Sequence, residues 1–231
     1  MIKKQITIAK DVIDRRRYRL LLVATLVLII LPSFFGKGTL STVLFVVSLN
    51  FLLIQSMIIA DASRRQASWM RYAVGITLIV LYWLEPFGLK SVWLDTAKFT
   101  LLVISFLAVT VYLLKFLRRA KDVNLDVIFV AINIYLLIGI VFGSLAFLFN
   151  DLYKDSYNLP ANITEPTFMT FVYYSYITMS TVGYGDITPR LAETQTLAFL
   201  MAITGQLYVA IIVAFLVGKL LMKPDAGSDE Q

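Results

Sequence analysis

Long apolar stretches alternate with short polar ones along the chain and predict an all-α membrane protein with six transmembrane helices. A helix needs about 20 apolar residues to cross the hydrocarbon core of a bilayer. Stretches close to that length cover residues 18–35, 40–60, 72–84, 97–117, 125–149 and 191–221. The third stretch is short, so we expect this span to begin nearer Trp69.

The pattern changes between the fifth and sixth spans. Residues 166–179 form an apolar stretch that is too short to cross a bilayer and is more typical of a re-entrant helix. Pro166 suits the first turn of such a helix. The irregular backbone expected over residues 181–186 is tolerated at membrane depth only where it is buried in protein or lines a water-filled path.

Composition supports a membrane protein and removes most other classes. The chain of 231 residues is 59% hydrophobic and contains neither Cys nor His. Disulfides and thiolate metal sites are therefore impossible, and the side chain that most readily titrates near neutral pH is missing. No paired acids or phosphate-binding loop stands in a plausible site either. We expect no enzyme and no organic cofactor.

The positive charge fits a membrane topology better than a nucleic-acid partner. The net charge of +6 sits between the apolar spans, so we expect no nucleic acid to bind. With a cytoplasmic N-terminus, 16 of the 21 Lys and Arg residues lie on the inner side, as the positive-inside rule requires. The outer ones are Lys37, Lys90, Lys98, Lys154 and Arg190. This split predicts a protein of the plasma (cell inner) membrane with both termini in the cytoplasm.

The basic N-terminus, residues 1–19, leaves two interpretations open. It holds seven Lys and Arg residues with Ile and Val among them. It is either a plain orientation signal or an amphipathic helix that binds anionic lipid of the inner leaflet. The lipid bilayer is the expected partner in both cases.

The loop of residues 181–186 reads Thr-Val-Gly-Tyr-Gly-Asp. Glycine tolerates backbone angles that L-residues avoid, so alternating it with other residues lets successive carbonyls point toward one axis. A single row of such oxygens is a poor ion site. Four rows, one from each of four identical chains, would form stacked rings that replace the water shell of a monovalent cation.

This loop and its flanks closely resemble the signature of tetrameric potassium channels, in which a TVGYG loop is the selectivity filter. The resemblance covers about residues 125–221. It implies a homotetramer that conducts K⁺ passively through a central pore, without an Arg-rich voltage-sensing segment here. The residues implied to bind the permeant K⁺ ions are Thr181, Val182, Gly183, Tyr184 and Gly185. The carbonyls of the first four would form the cage, with the Thr181 hydroxyl as the innermost ring.

The resemblance also implies which residues support the filter: Asp186, Tyr173, Tyr174 and Thr178. Many family members have two Trp where this chain has Tyr173 and Tyr174, and a Tyr hydroxyl could still hydrogen-bond Asp186. Ile177 stands where some bacterial members carry a Glu that pairs with the filter Asp. This pair of acids is therefore absent here. For Tyr176 we favour ordinary packing.

The sixth span is expected to line the inner cavity. Ser180 is placed close to the inner filter mouth. Gly205 lies about halfway along the span, where the family often has a hinge glycine, and close helix packing is the equal alternative. Three residues are candidates for a hydrophobic constriction that gates by dewetting: Ile212, Phe215 and Leu216.

The first four spans lack the pattern of a voltage sensor. Such a sensor needs several Arg or Lys at three-residue spacing inside the fourth span, whereas residues 97–114 hold only Lys98. We therefore expect little or no voltage sensing. The predicted segments are a basic cytoplasmic N-terminus (1–19), a voltage-sensor-like domain without gating charges (20–121), a pore domain (122–223) and a short cytoplasmic tail (224–231). The pore domain would contain an outer helix (125–149), a pore helix (166–179), the filter (181–186) and an inner helix (191–221).

Two alternatives to a potassium-selective channel remain open. A less selective cation channel would be favoured by a substitution at Tyr184, and none is present. A subunit of a potassium uptake transporter would carry several degenerate filter loops in one chain, whereas this chain has one complete loop.

Overall fold

A computed structural model describes residues 2–35, 38–61, 75–81, 92–120, 123–153 and 155–221. These residues form the helices α1 (Ile2–Phe34), α2 (Thr39–Asp61), α3 (75–81), α4 (Val92–Arg119), α5 (Leu125–Leu152), α6 (Phe168–Met179) and α7 (Ala192–Leu221). Two short strands, β1 (Tyr157–Asn158) and β2 (Thr188–Pro189), pair antiparallel. Apart from these two short strands, the described secondary structure is helical, which confirms the predicted all-α class.

Within the described residues, four helical segments are long and apolar enough to cross a membrane: Arg17–Phe34, Thr96–Arg119, Leu125–Leu152 and Ala192–Lys219. A shorter apolar helix covers Leu40–Ser56. The predicted third span is described only over residues 75–81. The connection at 62–71 and the tail at 224–231 lie outside the described residues. The count of six spans stays a prediction.

The first helix is longer than its apolar part. α1 runs without a break from Ile2 to Phe34, although the apolar pattern begins only near Tyr18. The basic N-terminal segment therefore extends the first span as the same helix.

α5 lies at the centre of the chain and packs against α1, α4, α6 and α7. Its N-terminus is capped by Asn124, whose side chain accepts a hydrogen bond from the Val127 amide at 3.0 Å. On one side, the buried Asn133 amide nitrogen donates to the Tyr18 carbonyl of α1 at 3.0 Å. On the other side, the Tyr208 hydroxyl of α7 donates to the Ala131 carbonyl at 2.5 Å. α5 thus ties the outer helices to the helix that follows the 181–186 loop.

Candidate ion-conduction site

The site is built on α6, which presents the 181–186 loop at its C-terminal end. Thr167 caps the helix, and its amide donates to the Thr170 hydroxyl at 3.1 Å. This cap explains why α6 begins at Phe168, two residues later than the predicted start at Pro166. The predicted and observed ends coincide at Met179.

Two glycines of α5 let α6 approach closely. A Cβ added at Gly139 would lie 2.1 Å from the Tyr176 ring, and one added at Gly143 would lie 2.8 Å from the Val172 Cα. Hydrogen bonds from α6 reinforce the contact, from the Tyr176 hydroxyl to the Leu136 carbonyl at 2.6 Å and from Ser175 to the Gly139 carbonyl at 2.7 Å. This pair is not among the predicted site residues, although the spacing of Gly139 and Gly143 is the GxxxG pattern of closely packed membrane helices.

The loop backbone alternates between two conformations. Thr181, Gly183 and Gly185 have φ values of 59°, 53° and 77°, in the left-handed region, whereas Val182 and Tyr184 do not. Only glycine adopts this region without strain. The two glycines thus stand where the loop needs this region.

The amides of the loop are held by α6. Val182 and Gly183 both donate to the Ile177 carbonyl at 3.1 Å, and Thr181 donates to the Thr178 carbonyl at 3.1 Å. Among the described residues no hydrogen bond ends on the carbonyls of residues 181–185. The amides of the first three loop residues are thus hydrogen-bonded to the C-terminal end of α6.

The loop is exposed in the single chain. Val182 is 51% exposed and Tyr184 is 71% exposed, whereas Ile187, directly after the loop, is only 5% exposed. The described residues of one chain therefore leave the Val182 and Tyr184 side chains largely uncovered.

The predicted support residues fall into two groups. The Tyr173 hydroxyl donates to the Asp186 carboxylate at 2.8 Å, which ties the last residue of the loop to α6. Tyr174 lies on the buried side, where its ring packs edge-on against Tyr157, with centroids 5.5 Å apart. Burial raises the pKa of the Tyr157 hydroxyl, and the nearby Tyr174 hydroxyl raises it further. The Tyr157 phenol therefore stays protonated at neutral pH.

The loop exit is clamped by residues that the sequence analysis did not single out. Asn158 of β1 donates to the Thr188 hydroxyl of β2 at 2.9 Å. The Ser156 carbonyl accepts hydrogen bonds from the Arg190 amide at 2.9 Å and from the Thr194 hydroxyl at 3.0 Å. These partners are far apart in sequence, and no local pattern marks them.

α7 passes close behind α6. A Cβ added at Gly205 would lie 2.2 Å from the Met179 carbonyl oxygen, so Gly205 is a point of close packing in a helix that continues to Leu221. The three gate candidates, Ile212, Phe215 and Leu216, are half-buried against the core of their own chain. The face left uncovered carries Leu207, Ile211, Val213 and Val217. Which residues form a constriction stays a prediction.

The described residues contain no cluster of three or more acidic side chains that could hold a metal ion. Ser180, at the end of α6, is exposed next to the loop.

Comparison with known proteins gives one match. Residues 127–222 match a family model described as "Ion channel", and these residues run from the first turn of α5 past the end of α7. No curated protein and no solved structure matches the chain.

Proposed function

We propose, because residues 127–222 match a family model described as "Ion channel" and contain the 181–186 loop, that the protein is a homotetrameric, potassium-selective channel. K⁺ would pass down its gradient through a central pore, bound in turn by the carbonyl oxygens of Thr181, Val182, Gly183 and Tyr184. The innermost ring would be the Thr181 hydroxyl. Both termini would face the cytoplasm at the plasma membrane.

The observation that carries the proposal is the alternation of φ along the loop. Left-handed residues at 181, 183 and 185 support a row of carbonyls that face one side, while N–H groups bind Ile177 behind them. Rings of backbone carbonyls that replace the hydration shell are the known basis of K⁺ selectivity. A loop with a purely structural role would instead use its carbonyls in hydrogen bonds.

The exposure of the loop supports four copies around one axis. Irregular backbone at membrane depth is stable only when it is buried in protein or lines a water-filled path. Val182 and Tyr184, each more than half exposed in one chain, would be covered by neighbouring copies. The carbonyl side would then face the shared axis.

The position of α6 adds an electrostatic argument. The C-terminus of a helix carries about half a negative charge, and α6 ends at Met179, directly before the loop. Four such ends would stabilise a cation below the filter. This stabilisation of the cation would come from the helix ends and would need no acidic side chain.

The test is ion flux from liposomes that contain the purified protein. We expect fast efflux from vesicles loaded with K⁺, little efflux from vesicles loaded with Na⁺, and block of the K⁺ efflux by Ba²⁺. Equal K⁺ and Na⁺ efflux would instead indicate a less selective cation channel. A monomer with no flux would contradict the proposal as a whole.

A pair of glycine variants ties the flux to the loop. Gly183→Ala places a side chain at φ 53°, a conformation that costs an L-residue about 1–2 kcal/mol in each copy, so we expect selective flux to be lost. Gly218→Ala is the matched control, because nothing lies within 4 Å of its added Cβ. Selective flux retained in Gly183→Ala would argue strongly against this filter.

A further inference from the structure

Five phenylalanines from four helices meet near the start of α6. We call them the outer aromatic cluster: Phe45 of α2, Phe99 of α4, Phe147 of α5, and Phe168 and Phe171 of α6. The Phe168 ring lies 5.4 Å from Phe45, 5.8 Å from Phe99 and 6.3 Å from Phe147, centroid to centroid. Phe99 and Phe147 are 4.6 Å apart. Ring pairs at these separations attract each other beyond the area they bury.

Phe168 is the meeting point of this cluster and the first residue of α6. It is 7% exposed, and Phe99 is 8% exposed, so both rings have little freedom to move independently. The first residue of the helix is thus held by one ring from each of α2, α4 and α5. A displacement of α2 or α4 would shift the start of α6.

The other end of α6 carries the ion-conduction loop. α6 is a single helix of 12 residues, about 18 Å long at 1.5 Å per residue, and it acts as a rigid lever over that length. Its C-terminal carbonyls, Ile177 and Thr178, hold the loop amides. A tilt at Phe168 therefore reaches the loop through these hydrogen bonds.

A second branch of ring contacts leads from the cluster to the buried side of the loop. Phe147 packs on Phe171 at 5.9 Å, Phe171 on Tyr157 at 5.0 Å, and Tyr157 on Tyr174 at 5.5 Å. Tyr157 belongs to the strand pair that clamps the loop exit. Both ends of the loop are thus connected to the same cluster.

We propose that Phe168 is a positioning residue through which the peripheral helices α2 and α4 set the geometry of the ion-conduction loop. This inference rests on the proposed channel function. On this proposal, the peripheral helices α2 and α4 act on the outer, ion-selective end of the proposed pore. Their effect does not depend on any constriction formed by α7. Substitutions in the outer aromatic cluster are therefore expected to change how the loop binds ions.

The experiment compares two leucine variants of the same helix. Phe99→Leu removes a ring that contacts Phe147 and Phe168. Phe106→Leu removes another buried ring of α4, which is 0% exposed against 8% for Phe99 and lies outside the cluster. Both are measured in the full-length protein in liposomes. The readouts are the K⁺ to Rb⁺ flux ratio and the Ba²⁺ concentration for half block, because both report ion binding in the filter.

For Phe99→Leu we expect a shift of roughly 2- to 10-fold in the Ba²⁺ concentration for half block, the factor that one aromatic pair is worth. Phe106→Leu is expected to leave this concentration and the flux ratio unchanged. Equal effects of the two variants, or no effect of either, would overturn the proposal. Absence of selective K⁺ flux in the unmodified protein would overturn the proposed function instead.

Phe45→Leu provides a second variant if Phe99→Leu fails to assemble. Phe45 is only half-buried, so its truncation costs less stability, yet it contacts Phe168 from α2. We expect a change in Ba²⁺ block in the same direction as for Phe99→Leu. An assembled Phe45→Leu protein with unchanged block and flux ratio would contradict the role of Phe168.

Discussion

Thr181 shows how single residues specialise this loop. It is a non-glycine residue at φ 59°, a conformation that costs an L-residue about 1–2 kcal/mol. Its amide donates to Thr178, and its hydroxyl donates to the Ser180 carbonyl at 2.7 Å. These bonds offset the strain and fix the Thr181 hydroxyl beside the C-terminal end of α6. Strain held by surrounding contacts is typical of functional sites.

Tyr173→Phe is predicted to destabilise the conducting loop. The change removes the hydrogen bond to Asp186 at 2.8 Å and leaves the ring in place. A hydrogen bond to a charged group is worth about 1.5–3 kcal/mol, and we expect the lower end because both residues are exposed. The measurement is the decay of K⁺ flux under sustained gradients, which should become faster.

Tyr153→Phe is the matched control for this variant, since it removes the same atom from an exposed residue whose ring stacks on Phe149. It should leave the decay of the flux unchanged. Identical decay in Tyr173→Phe and the unmodified protein would show that the bond to Asp186 does not hold the loop.

Gly205→Ala is predicted to displace α7 from the end of α6. The added Cβ would lie 2.2 Å from the Met179 carbonyl oxygen, and backbone cannot yield as a flexible side chain can. Overpacking of this kind costs about 1–3 kcal/mol. We expect weaker assembly and at least partial loss of K⁺ selectivity, measured by thermal unfolding and by the K⁺ to Na⁺ flux ratio.

Gly218→Ala tests the same change in the same helix without a clash. It should be neutral or stabilise α7 by up to about 1 kcal/mol, because alanine favours helix more than glycine does. If Gly205→Ala behaved like Gly218→Ala, close packing would not be the reason for a glycine at position 205.

At the scale of the elements, the contact of α5 with α6 depends on missing side chains. Gly139→Ala would place a methyl group 2.1 Å from a carbon of the Tyr176 ring. This ring cannot easily move away, because its hydroxyl is hydrogen-bonded to the Leu136 carbonyl. We expect a loss of about 1–3 kcal/mol in stability, seen as a lower midpoint of thermal unfolding in detergent. The double variant Gly139→Ala with Tyr176→Leu should recover part of this loss, and no recovery would contradict the packing described.

The sequence predicted elements better than it predicted contacts. Apolar length and breaks such as Asn150 to Glu165 indicate the helices, and α5, α6 and α7 each begin or end within a few residues of expectation. The loop of residues 181–186 carries a local signature, so it could be singled out from the sequence, and its role as a filter stays a prediction. The loop clamp was missed because Ser156 and Thr194 meet only after folding, and Gly139 with Gly143 was overlooked although its spacing was visible.

At the scale of the whole molecule, the connection between α4 and α5 limits where the peripheral helices can sit. Only residues 120–124 join the two helices, and the six Cα-to-Cα steps from Arg119 to Leu125 span at most about 22 Å. α4 also packs along α5 within the chain. We therefore predict that each peripheral domain lies against the pore helices of its own chain.

Cross-linking tests this arrangement on a background free of cysteine. Phe99→Cys with Phe147→Cys, treated with a short bismaleimide, should give an internally linked monomer on denaturing gels. The two single variants, expressed together, should give no covalent dimer. A dimer from the mixed single variants would place α4 against the neighbouring chain.

The charge pattern of α4 limits how strongly the proposed channel can respond to voltage. One elementary charge that crosses the membrane field gains about 2.3 kcal/mol per 100 mV, and steep sensors move several per subunit. Between residues 97 and 114 the chain offers only Lys98, which is 4% exposed near the start of this span.

We therefore predict less than about one equivalent charge per subunit when open probability is measured against voltage in planar bilayers with symmetric KCl. Lys98→Gln should leave the slope of that relation unchanged, since a buried side chain at the end of the span crosses little of the field. A slope equivalent to many charges would mean that charged residues outside α4 move with the gate, and a shallower slope in Lys98→Gln would identify Lys98 as the moving charge.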